Sequence, residues 1–164
     1  MDMSQGADRA DAVLQQTLGA ITPPLRWNHG PSIDSGCGNM LGRDTGTGSV
    51  HRRVITLTKV SAERRGSLIG VVERSWKTQG YKINGVNPSK TMPAVYASTP
   101  DNFHIALEVG TTGQFSFSAV TPCLTETHSL PAPTTTPNTP QRDDVPFPPR
   151  DDIHDDYWSA PVRT

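Results

Sequence analysis

The two cysteines are the residues with the clearest chemistry in this chain of 164 residues. Cys37 lies in a glycine-rich stretch, and Cys123 follows the last predicted strand. Two cysteines form a disulfide, remain thiols, or serve as metal ligands or nucleophiles. We predict a disulfide between Cys37 and Cys123, because it would tie the glycine-rich stretch to the sheet. A disulfide implies an oxidising compartment.

A nucleophilic Cys37 is the alternative in the stretch Ser35-Gly36-Cys37-Gly38. A cysteine nucleophile needs a thiolate paired with a histidine. His29, His51 and His104 are the candidate partners, although each is an ordinary surface or strand-edge residue by its sequence context. We therefore predict no catalytic Cys-His pair.

Asp44-Thr45-Gly46 matches the Asp-Thr-Gly triplet in which two aspartates of an aspartic protease share a proton. In those enzymes apolar strand residues flank the triplet, whereas Gly42-Arg43 and Gly48-Ser49 flank it here. A single copy would also require a symmetric dimer. The triplet therefore indicates a glycine-rich turn.

The C-terminal segment carries an acidic cluster, Asp151-Asp152-Ile153-His154-Asp155-Asp156, beside large apolar residues. The cluster lacks the spacing and obligatory glycine of a calcium loop, so we predict no metal site and no cofactor. Apolar anchors among acids and prolines are typical of segments that dock into a groove of a partner protein. The predicted partner-binding residues are Phe147, Ile153, Tyr157 and Trp158.

Two amphipathic helices are predicted to carry part of the core. Apolar residues from Ala10 to Ile21 keep helical spacing, which predicts a first helix over Ala7–Ala20. Leu68, Ile69, Val72 and Trp76 predict a second helix that begins after an N-cap at Ser61 and ends near Gln79. Residues 22–49 between them predict a long loop, with a short strand near Trp27.

Strands account for the rest of the predicted core. Val50–Val60 is rich in β-branched residues, and two later runs alternate apolar and polar side chains. Turn residues separate these later runs at hairpin distance. The four later runs are Tyr81–Val86, Ala94–Ser98, Asn102–Val109 and Gln114–Thr121. The predicted order is α-β-α-β-β-β-β, an α+β fold with both helices on one face of a mainly antiparallel sheet.

Charge and proline content divide the chain near residue 124. Residues 1–124 hold 12 Lys and Arg against 9 Asp and Glu, and residues 125–164 hold 3 against 7. The second part also holds 8 of the 15 prolines, so it predicts a disordered or extended acidic tail after a single α+β domain. The near-neutral total argues against nucleic-acid binding, and no apolar run is long enough to span a membrane.

The segments at residues 26–32, 35–37, 46–48, 64–76, 92–97 and 121–123 follow one another in a recognisable order. Over about residues 8–125, and without the tail, this pattern resembles small secreted or lipoprotein-type proteins of actinobacteria whose activity is uncharacterised. The resemblance implies secretion or a cell-envelope location, and a lipid anchor in the natural precursor. No signal sequence precedes Ala7, so we expect one to have been removed.

The sequence is compatible with three functions. We expect a non-enzymatic interaction module that binds another protein through its sheet face or its tail. The alternatives are a small hydrolase that uses the loop over residues 22–49, and an assembly protein that exchanges its tail between copies. An enzyme should bring two titratable residues together in a pocket at that loop.

Overall fold

The computed structural model describes residues 1–38, 41–42, 44–110, 112–139 and 150–161. It is an α+β fold with two helices and an eight-stranded sheet in those residues. The elements are α1 (Met3–Gly19), β1 (Trp27–His29), β2 (Ile33–Gly38), β3 (Asp44–Thr56), α2 (Arg65–Thr78), β4 (Lys82–Asn87), β5 (Ala94–Ser98), β6 (His104–Val109), β7 (Phe115–Val120) and β8 (Leu124–Thr125).

Helix α1 begins four residues before the predicted start, because a capping box fixes its first turn. The Asp2 carboxylate accepts the Gln5 backbone N–H at 2.8 Å, and the Gln5 side-chain oxygen accepts the Asp2 N–H at 2.9 Å. Reciprocal bonds of this kind satisfy backbone donors that a helix N-terminus leaves unpaired. The predicted apolar stripe is confirmed, since Val13, Leu14 and Leu18 are buried.

The sheet is open and has the strand order β1-β3-β7-β6-β5-β4. β2 and β8 pair with the N-terminal half of β3, one on each of its edges. All strand pairs within the described part of the chain are antiparallel. The predicted antiparallel meander is therefore confirmed for β4 to β7.

One face of the sheet holds the core. Register places Val54 of β3, Phe117 of β7, Leu107 of β6 and Val95 of β5 in one row across the strands, and all four are buried. Helix α1 contacts β3 and β7, and α2 contacts β4 and β5. The Trp76 indole N–H of α2 donates to the Thr17 hydroxyl of α1 at 2.9 Å. Both helices therefore lie on the same face, as predicted.

The predicted long loop over residues 22–49 is wrong in its central part, which forms a β-hairpin. β2 pairs with β3 from Ile33 opposite His51 to Gly38 opposite Asp44. The Gly, Ser and Asp residues there have weak strand propensity, and β2 is mostly exposed, so no apolar alternation marks it. The predicted short strand near Trp27 is β1.

The start of α2 also differs from the prediction. Ser61 opens a turn, in which the Arg64 N–H donates to the Ser61 carbonyl at 2.9 Å, and the helix proper starts at Arg65. The Ser61 hydroxyl donates to the Ala160 carbonyl at 2.7 Å instead of capping the helix. At the other end, Gly80 has φ +82° and takes the left-handed position after the C-cap, as predicted.

Within the described residues, no helix is both long enough and apolar enough to cross a membrane.

Candidate binding sites

The Cys37–Cys123 disulfide is present and has a Cα–Cα distance of 6.2 Å. It ties β2 to the residues between β7 and β8. Because the Cys37 sulfur is bonded, it provides no thiolate for a Cys-His pair. Asp44 begins β3 inside the hairpin, and the Thr45 hydroxyl donates to the Cys37 carbonyl at 2.5 Å. The Asp-Thr-Gly triplet therefore lies at the start of strand β3, and not in the predicted glycine-rich turn.

The apolar residues predicted to bind a partner are used within the chain itself where the structure describes them. Trp158 is fully buried in the main hydrophobic core, and Ile153 forms a parallel bridge with Thr58. Tyr157 remains 39% exposed. Phe147 lies outside the described residues. The described C-terminal residues 150–161 include a bridge at Ile153 and a turn over residues 156–159, and Trp158 anchors them to the domain.

The first part of the tail lies along the outer edge of β1. The Asn138 side-chain oxygen accepts the Trp27 backbone N–H at 2.9 Å, and its amide donates to the Leu25 carbonyl at 2.8 Å. The Arg26 guanidinium donates to the Asn138 carbonyl at 2.8 Å. The Asn138 side chain therefore makes the hydrogen bonds that a neighbouring strand would make. It covers the outer edge of β1, which would otherwise be open.

A buried arginine organises the same region. Arg52 is 2% exposed, and its guanidinium lies 3.5 Å from the Asp11 carboxylate. It donates to the Ser32 hydroxyl at 2.8 Å and to the Pro131 carbonyl. Burial raises the pKa of the Asp11 carboxyl, and the charges of Arg52 and His29 oppose that effect.

Two polar groups of residues 22–49 are engaged by the buried arginine or by the tail. The Ser32 hydroxyl accepts a hydrogen bond from the Arg52 guanidinium. His29 Nε2 lies 2.7 Å from the Thr135 carbonyl, to which an N–H at that position donates. The geometry supports attachment of the tail and gives the hydrolase hypothesis no paired nucleophile and base at these residues.

A groove with apolar lining lies between α2 and β4, and no sequence pattern predicted it. Its volume is about 630 Å³, and Ile69, Val86 and Pro93 supply apolar surface. Gly66 and Gly70 of α2 line the same groove. A Cβ at Gly66 would meet no atom within 4 Å, so the groove is empty beside that residue.

The wall of the groove opposite α2 is a loop, residues 88–93, that is held in place by hydrogen bonds. The Arg65 guanidinium donates to the Thr91 carbonyl at 2.5 Å, which links the loop to α2. The Ser89 hydroxyl accepts backbone N–H groups from Thr91 and Met92 at 3.3 and 3.2 Å. The groove is therefore preformed. It brings together residues distant in sequence, so no local motif could have revealed it.

The acidic cluster over residues 151–156 does not form a metal site. No group of three or more His, Cys, Asp or Glu residues in the described ranges is arranged to hold a metal ion.

No protein-family model matches this chain, and no curated protein or solved structure matches it.

Proposed function

We propose that this chain is a non-enzymatic interaction module of the cell envelope or extracellular space, which binds an extended segment of another protein along β4. The observation that carries the proposal is the apolar groove beside the edge strand β4. The disulfide supports the location, because disulfides persist in oxidising compartments. The resemblance to secreted actinobacterial proteins supports the same location.

Strand β4 supplies the backbone for such binding. It lies at one end of the strand order, so its outer edge has no strand partner among the described residues. An extended peptide can add to such an edge through main-chain hydrogen bonds, while pockets beside the edge select alternate side chains. Val86 of β4 is 42% exposed and lines the groove, so an added strand would cover it.

The groove indicates which side chains the bound segment carries. Ile69, which is 5% exposed, and buried Pro93 form an apolar surface suited to one aliphatic or aromatic side chain. Glu63, in the turn before α2, and Glu73 of α2 also line the groove, and Glu73 is paired with Lys77 at 3.1 Å. We therefore assign an apolar anchor to the bound segment, with a Lys or Arg facing Glu63.

Selection from a random peptide display library on the full-length protein tests this proposal. The Gly66→Trp variant fills the groove. Gly19→Trp is the matched control, because Gly19 is also a helical glycine at which an added Cβ would meet no atom within 4 Å. Peptides selected on the wild type should share an apolar anchor and a basic residue. They should bind Gly66→Trp at least about tenfold more weakly and Gly19→Trp equally well.

The proposal fails if no peptide is enriched, or if the enriched peptides bind the groove-filled variant as tightly as the wild type.

A further inference from the structure

The last described segment, Arg150–Pro161, contacts the domain as a bound peptide would. We call it the docking segment. The Ile153 N–H donates to the Leu57 carbonyl at 2.9 Å, and the Ile153 carbonyl accepts the Lys59 N–H at 2.8 Å. The Trp158 carbonyl accepts the Ser61 N–H at 2.8 Å. The docking segment is therefore held by the backbone of residues 57–61.

Trp158 is the side-chain anchor of the docking segment. Its ring is fully buried, and its indole N–H donates to the Pro23 carbonyl at 2.7 Å. The Arg64 guanidinium lies 4.1 Å from the centre of the neighbouring Tyr157 ring. A buried tryptophan with a satisfied N–H, next to a tyrosine that contacts an arginine, is typical of the residues that dominate binding at protein interfaces.

The docking segment makes its own local structure. The Asp155 carboxylate accepts the backbone N–H groups of Tyr157 and Trp158 at 2.9 Å each. The Ser159 N–H donates to the Asp155 carbonyl, and the Asp155 N–H donates to the Ser159 hydroxyl, both at 2.9 Å. These bonds lie within five residues, so the turn that presents Trp158 belongs to the segment itself and not to the domain that receives it.

We propose that residues 57–64, together with Pro23, form a peptide-binding site, and that a second copy of this chain fills it with its own docking segment. The domain side of each contact comes from Pro23, residues 57–61 and Arg64, which every copy offers equally. The inference is independent of the α2–β4 groove. A docking segment tethered to its own domain has an effective concentration at the site in the millimolar range. Exchange of docking segments between copies therefore becomes extensive only when the protein concentration approaches that range.

Two measurements test the exchange. In the first, a fluorescent peptide of residues 150–161 is titrated into full-length Trp158→Ala protein, whose site has lost its own anchor. It should bind this variant at least about tenfold more tightly than the wild type, whose site is occupied. The same peptide with Trp158→Ala should bind neither protein. If the Trp158→Ala variant does not fold, the titration uses a protein of otherwise wild-type sequence that carries a protease site inserted within residues 141–148 and is cleaved there.

In the second measurement, a mixture of isotope-labelled and unlabelled wild-type protein is studied by filtered NMR at about 1 mM. Exchange predicts contacts between the Trp158 ring of one copy and the Pro23 region of the other. Failure of the peptide to bind the emptied site overturns the proposal. A wild type that stays monomeric, or a dimer without these contacts, overturns it as well.

Discussion

Trp158 shows how one residue joins the end of the chain to the core. Its position among acids and prolines predicts an anchor that binds a partner protein. The structure places that anchor among residues of α1, α2 and the sheet. Sequence pattern identifies an anchor but not its receptor, because the receptor is formed by residues far away in the chain.

The Trp158→Ala variant should lose about 3–5 kcal/mol of unfolding free energy, as large aromatic truncations in cores do. It removes a fully buried ring and leaves the Pro23 carbonyl without the indole donor. Urea unfolding measures the loss. The Tyr157→Ala control should cost only about 0.5–1 kcal/mol, since that ring is partly exposed and contacts the Arg64 guanidinium and the edge of the Trp158 ring. Equal losses in the two variants would contradict the assignment of the anchor to Trp158.

His51 gives the protein a pH-dependent stability. Burial lowers the pKa of His51 and the charge of Arg53 lowers it further, against the opposing effect of Glu108. The native state therefore binds the His51 proton less tightly than the unfolded chain does. This contribution to stability is complete above the unfolded pKa of 6.5 and is lost as the pH falls below it.

The His51→Gln variant should lose that pH dependence. Urea unfolding of the wild type and the variant at about pH 7.5 and about pH 5 gives the comparison. The wild type should lose more stability on acidification than the variant does. Parallel pH profiles for the two proteins would show that His51 is not responsible.

Among the elements, the hairpin of β2 and β3 depends most on a covalent bond. β2 is mostly exposed and packs little apolar surface, so the disulfide is its main attachment to β7 and β8. Because its two cysteines are 86 positions apart in the sequence, the bond should stabilise the fold by about 4–5 kcal/mol in the chain-entropy estimate. The Cys37→Ser/Cys123→Ser double variant should show this loss in urea unfolding, and the reduced wild type should match it. A loss below about 1 kcal/mol would contradict the estimate.

The elements also show what sequence reasoning can recover. α2 and the meander from β4 to β7 were predictable, because Trp76 and Phe117 belong to patterns whose period matches their secondary structure. β2 was not, because pairing with β3 through exposed Gly and Ser residues leaves no hydrophobic period. The sequence predicts Ser61 as a helix cap. In the folded chain the Ser61 hydroxyl donates to the Ala160 carbonyl instead, a contact that no local pattern reveals.

At the scale of the whole molecule, the described parts of the tail pack against the domain, whereas the α2–β4 groove stays open. Arg52 and Asn138 fasten the first part of the tail, and Trp158 fastens the last part. The sequence did not predict the contacts of Arg52 and Asn138, because the edge that the tail covers follows from the strand order. The α2–β4 groove likewise required the full topology, because Gly66 and Val86 meet only in the folded sheet.

Backbone amide hydrogen exchange across β4 tests the central claim, that an extended partner segment binds along this edge, most directly. Exchange is measured for the full-length protein alone and with a saturating peptide selected on the wild type. We predict that outward-facing amides within Lys82–Asn87 exchange at least about tenfold more slowly with the peptide bound, because it pairs with them. Unchanged exchange in β4, with protection confined to another surface, would contradict the claim.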